Sequence, residues 1–114
     1  MSLITGNRME DQALNFLKKQ GFKLLKRNFR TRMGEIDLIM LDQEALVFIE
    51  VRYRQHHSHG NALESVDFFK QQKLTRAAQS FLQRHPHHQN QPCRFDVIAF
   101  SKDNNTPEWI RNAF

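Results

Sequence analysis

The sequence has one cysteine, Cys93, three prolines and four glycines in 114 residues. A single cysteine excludes an intrachain disulfide and a cysteine-rich zinc site. It also leads to the expectation of a reducing, cytoplasmic setting. Low proline and glycine beside ten phenylalanines is the reverse of a disordered composition. No run approaches the roughly 20 apolar residues of a membrane-spanning helix, so no membrane partner is expected. The opening Met1-Ser2-Leu3-Ile4-Thr5-Gly6 is too short to read as a secretory leader. Acids are scarcer than bases, 12 against 17, which leaves a net charge of +5. The length points to one domain over residues 1–114. With 39% apolar residues the chain can build one modest core.

What is present is positive charge in one place. Lys18, Lys19, Lys23, Lys26, Arg27, Arg30 and Arg32 follow one another with no intervening acid. A stripe of this kind attracts phosphate backbones. The competing reading is a solvated surface strand with a basic bias. Lys23, Lys26, Arg27, Arg30 and Arg32, with Arg54 further on, are the candidate contacts to DNA or another nucleic acid.

Met9, Ala13, Phe16 and Leu17 recur at helical spacing, so residues 8–20 read as a helix with Asn7 as N-cap and Gly21 as its stop. Residues 22–31 read as an edge strand interrupted by basic residues. Residues 35–41 and 45–53 are rich in Ile, Leu, Val and Phe and read as strands joined in a hairpin. Residues 65–84 read as a second helix, 94–100 as a strand, and 107–114 as a short helix with Trp109 and Phe114 packing back. The order α-β-β-β-α-β implies an α/β fold, a mixed central sheet flanked by helices.

Alternation places Glu35, Asp37 and Ile39 on one face of the first hairpin strand, and Leu46, Phe48, Glu50 and Arg52 on one face of the second. A two-residue turn at Gln43-Glu44 sets Asp37 opposite Glu50 and Glu35 opposite Arg52, whereas a three-residue turn shifts the pairing by one. Directly opposed side chains have Cβ atoms about 4.5–5.5 Å apart, and like charges there repel. A counter-charge is therefore implied: a divalent cation such as Mg²⁺, or an ion pair to Arg52 or a lysine. Lys70 lies near the centre of the apolar side of helix 65–84, with Lys73 beside it. Either the acids of the hairpin meet them there, or both lysines reach past the helix end into solvent. Glu10 flanks the apolar side of the first helix. It either joins the acids or bonds back to its own helix start in a capping box with Asn7.

Gly34-Glu35-Ile36-Asp37 followed by Phe48-Ile49-Glu50-Val51-Arg52 resembles the metal-site signature of restriction-endonuclease-like nucleases, an acid on one strand and acid-x-Lys on the next. Nearly the whole chain, from Gly6 through Arg94-Phe95-Asp96-Val97, more closely resembles the YraN family of bacterial proteins, related in fold to archaeal Holliday-junction resolvases. The resemblance implies a restriction-endonuclease-like core and a metal-dependent endonuclease acting on DNA, branched DNA in particular. It implies Mg²⁺ or Mn²⁺ held by Asp37 and Glu50 with Glu10 as an outer or third ligand, and the Val51 carbonyl as a further oxygen. By analogy with the resolvases it also implies a homodimer. The chain departs from the signature at Arg52, where those nucleases have Lys. An arginine stays protonated and clamps phosphate but cannot act as a base. Either Lys70 or Lys73 takes the lysine's place from the helix, or the fold serves as a non-catalytic nucleic-acid-binding module. A third reading is an interaction protein whose basic surface meets an acidic partner.

The six histidines form two groups, His56/His57/His59 and His85/His87/His88. The helix between them is about 30 Å long, and neither group has the remaining ligands of a zinc site. Loop histidines are the expectation, with His56 or His57 near enough to the Glu50 strand to meet DNA. Cys93 reads as a small residue entering a strand, and Asp96 as an ion-pair partner within the sheet.

Overall fold

The computed structural model describes residues 3–54, 66–102 and 104–114. Helix α1 spans Leu3–Lys19. It buries Ala13, Leu14 and Leu17 and ends where Gly21 takes φ +97°. There the Gly21 and Phe22 amides cap the carbonyls of Lys18 and Leu17, at 3.0 and 3.1 Å. The helix begins earlier than its spacing predicts. Asn7 is therefore inside it and is not its cap.

Five strands follow: β1 (Lys23–Arg30), β2 (Glu35–Asp42), β3 (Ala45–Arg54), β4 (Cys93–Ser101) and β5 (Asn104–Ile110). They form one sheet in the order β1-β2-β3-β4-β5, with β1 on an edge as its interrupted pattern predicts. Only β3 and β4 run parallel. A parallel pair needs a crossover, and α2 (Phe68–Arg84) supplies it. The Asp67 carboxylate accepts from the Lys70 amide at 2.8 Å and fixes the start of α2 three residues later than expected.

The helices cover opposite faces. Under α2 lies a core of Ile36, Ile39, Phe48, Leu74, Ala77, Phe81 and Val97. Under α1 lie Leu17, Leu38, Met40, Val47, Ile49 and Ile98. The α-β-β-β-α-β order is thus observed, with one addition. Residues 107–110, expected to begin a helix, belong to β5, paired with β4 through Val97↔Ile110 and Ile98↔Trp109. Strand β5 satisfies backbone groups that β4 would otherwise expose as an edge. Trp109 and Phe114 do pack back. The indole stands edge-on to Phe16 and Phe22, and Phe114 stacks on Phe95 at 4.8 Å. No helix among the described residues is long and apolar enough to cross a membrane.

Candidate functional site

The β2–β3 hairpin has the register set by a two-residue turn, from Asp42↔Ala45 to Leu38↔Ile49. Asp37 and Glu50 come next, where the strands begin to part. Asp37 takes over there with its side chain, whose Oδ2 accepts from the Val51 amide at 2.8 Å. Val51 thus meets Asp37 through its N–H.

Strict alternation fails at this point. Ile36 packs under α2 and Leu38 under α1, although residues two apart on a regular strand share a face. The neighbouring strand breaks at the same level. Phe29 packs under α2, while Arg27 turns to Glu10 and Asp11 of α1. Between them Asn28 has φ +53°, a left-handed conformation that asparagine tolerates better than most residues. Glu35 consequently faces Arg30 on β1 at 3.5 Å, and not Arg52 as predicted.

Asp37 and Glu50 come together as expected, near enough for the Glu50 charge to act on Asp37. Burial, then the Glu50 charge, pushes the Asp37 carboxyl from 3.8 up to about 8, against the pull of the Val51 amide. Glu50 is 4% exposed and has two cationic neighbours, Arg52 at 3.4 Å and Lys70 at 3.5 Å. Lys70 thus reaches an acid from the first turn of α2. Lys73 does not join it. Its side chain is exposed, and its backbone is what matters locally, because Gly34 packs against it. A Cβ on Gly34 would stand 2.9 Å from the Lys73 carbonyl oxygen.

Glu10 points to the sheet and does not cap its own helix. Arg27 lies 3.5 Å from it, and the Asn28 amide, assigned the orientation that turns its nitrogen to the acids, donates to both Glu10 oxygens (3.1 and 3.2 Å) and to Glu35 (3.3 Å). Its carboxyl is raised by burial, then by Asp37 nearby. Asn28 is a site residue that sequence reasoning missed. The only signal for it was a polar residue interrupting a strand. Among the described residues no group of three His, Cys, Asp or Glu side chains is arranged around a metal position. The donor set at Asp37 and Glu50 still suits Mg²⁺, which is commonly held by one or two carboxylates with phosphate and water completing its shell.

The basic residues divide. Lys23, Lys26, Arg30 and Arg32 are exposed along or beside the free edge of β1. Arg27 is engaged by two acids of α1, and Arg54 by Glu108 at 2.9 Å. His85, His87 and His88 cluster at the end of α2. His85 stacks on Phe81 at 4.2 Å, and its Nδ1 lies 2.9 Å from the Phe81 carbonyl oxygen. His56, His57 and His59 lie outside the described residues. Asp96 is a structural acid, as expected. It is buried and bonded to Arg94, Trp109 and the Asn112 amide, each at 3.0 Å.

The chain is similar to UPF0102 proteins of Alcanivorax borkumensis (53% identical, covering 96% of this chain and 90% of that protein), Alkalilimnicola ehrlichii (54%, 98% and 87%) and Stutzerimonas stutzeri (52%, 96% and 93%). The model of the uncharacterised protein family UPF0102 matches residues 9–100, which hold Glu10, Asp37, Glu50, Arg52 and Lys70. The chain therefore belongs to the UPF0102 (YraN) family.

Proposed function

We propose that this protein is a metal-dependent endonuclease acting on DNA. The observation that carries the reading is the Asp37–Glu50 pair: two carboxylates brought together where two strands part, one pushed to about 8, beside a basic strand edge. Such perturbed pairs concentrate at functional sites. Asp37 and Glu50 would hold Mg²⁺ or Mn²⁺, and an ion of that class supplies an activated water and charge neutralisation at the phosphoryl oxygens.

The chain's own residues orient the rest. The Val51 amide fixes the Asp37 carboxylate. Lys70 and Arg52 flank Glu50 and donate to a phosphate that enters beside it. Arg52 remains a phosphate clamp, so Lys70 supplies the lysine that the nuclease signature has on its strand. Arg27 and Asn28 hold Glu10 close to Asp37. Lys23, Lys26, Arg30 and Arg32 carry the duplex.

The test is incubation with branched and linear DNA and Mn²⁺, with and without chelator. Cleavage is expected from the wild type only with the ion, and none from Asp37→Asn. The same ion is expected to raise the melting temperature of the wild type and not that of Asp37→Asn. No cleavage by the wild type, or equal cleavage by the variant, overturns the reading. One observation favours a second reading, a non-catalytic nucleic-acid-binding module: Arg52 and Lys70 already neutralise Glu50. That reading predicts salt-sensitive DNA binding that survives both chelation and Asp37→Asn.

A further inference from the structure

Two large aromatic side chains stand in the open on the first turn of α2. Phe68 is 65% exposed and Phe69 73%. Their rings are 6.3 Å apart at 63° to one another. Scattered exposed apolar residues need no explanation, but adjacent exposed rings form a patch. The fold does not need them. Helix α2 is anchored through Leu74, Ala77, Ala78 and Phe81 and capped by Asp67.

We infer that Phe68 and Phe69 are a stacking platform for unpaired nucleobases beside the Asp37–Glu50 pair, which makes DNA with single-stranded nucleotides next to a duplex the preferred ligand. The inference rests on the nucleic-acid reading above and adds a site to it. Position is the first argument. The rings stand on the same first turn of α2 as Lys70, whose Nζ lies 3.5 Å from Glu50, so a strand held on them passes the end of the helix that meets the acids. The second argument is the surrounding chemistry. Phe68 opens a groove of about 400 Å³ along the outer flank of α2, lined further by Gln71, Gln72, Thr75, Arg76 and Phe114. Among the described residues no Asp or Glu side chain lines it. Aromatic faces for bases, amides that donate and accept at base edges, and a cation for the backbone are the means by which single strands are held. A groove built to dock an apolar protein segment has no use for that amide and guanidinium lining.

The experiment measures binding in chelator, so that no strand is cut. The affinity for a blunt duplex is compared with that for the same duplex carrying a short single-stranded overhang with 2-aminopurine. The wild type is expected to prefer the overhang by about five- to hundredfold per stacked base, with a change in 2-aminopurine fluorescence. Phe68→Leu/Phe69→Leu keeps apolar area but loses the aromatic faces. It is expected to erase the preference, leaving blunt-duplex affinity and melting temperature unchanged. Phe68→Tyr/Phe69→Tyr is expected to retain the preference. Equal wild-type affinities for the two DNAs, or a preference that survives the leucines, overturns the platform and leaves the nucleic-acid reading standing. Binding to neither DNA overturns both.

Discussion

Asp37 is under opposing influences. The Val51 amide favours its charged form, while burial and the neighbouring Glu50 disfavour it, and the second set wins. In the unfolded chain the same carboxyl returns to an ordinary value near 3.8, and in the folded protein it holds its proton up to about 8. The folded state therefore binds more protons than the unfolded state between these limits. Its stability from this group is complete below the lower limit and is lost as pH rises toward the upper one. The slope for one proton is at most about 1.4 kcal/mol per pH unit. In chelator, the melting temperature is expected to fall as pH rises from about 4 to about 8, and Asp37→Asn is expected to flatten that fall. A wild-type melting temperature that rises or stays level across the window, with Asp37→Asn unchanged from it, contradicts the assignment. The charged neighbours matter to this reading, because Glu50, whose charge helps raise Asp37, is itself in contact with Arg52 and Lys70.

Between elements, Gly34 approaches the backbone of α2 closely near the site. The 31–34 turn is closed by Thr31, whose hydroxyl accepts from the Met33 and Gly34 amides at 3.0 and 3.1 Å. It presses Gly34 against the Lys73 backbone, with room for no Cβ. Gly34→Ala is expected to cost about 1–3 kcal/mol, read by urea denaturation, because backbone must shift. An alanine variant as stable as the wild type refutes that approach. A glycine held for packing was not legible in the sequence, where Gly34 counted only as part of a motif. The hairpin was legible in two apolar runs separated by a short gap, and of the two registers that gap allows, the structure has that of the two-residue turn, Leu38↔Ile49 through Asp42↔Ala45. That register brought Asp37 to Glu50. It misplaced Glu35 because the face switch at Asn28 and Asp37 depends on a left-handed asparagine, which hydrophobic periodicity does not register. Strand β5 was missed for a related reason. Its apolar content is Trp109 and Ile110 alone, and its pairing comes from the open edge of β4, which only the assembled sheet reveals.

At the scale of the whole molecule, the net charge of +5 conceals a division of labour. Arg27 belongs to the acids of α1, and Arg54 is tied to Glu108. Both are committed within the fold, although the sequence grouped them with the phosphate contacts. Lys18, Lys19, Lys23, Lys26, Arg30 and Arg32 are the exposed cations of the basic stripe, and Arg30 shares part of its charge with Glu35. Each phosphate neutralised on duplex DNA adds about 0.9 to the slope of log affinity against log salt. Replacing Lys23 or Lys26 with alanine is therefore expected to lower the magnitude of that slope by roughly one per residue. Arg54→Ala is expected to leave the slope nearly unchanged and to reduce thermal stability, since it removes the 2.9 Å ion pair between Arg54 and Glu108. Arg27→Ala should also spare the slope but release Glu10 and Asp11, and with Glu10 freed beside Asp37 the cleavage expected of the wild type should weaken. Anisotropy titrations across a salt series, run on the four variants beside melting curves, separate the two groups. If Arg27 and Arg54 carry slope as Lys23 and Lys26 do, then DNA draws them out of their ion pairs, and the acids around Asp37 are rearranged on binding.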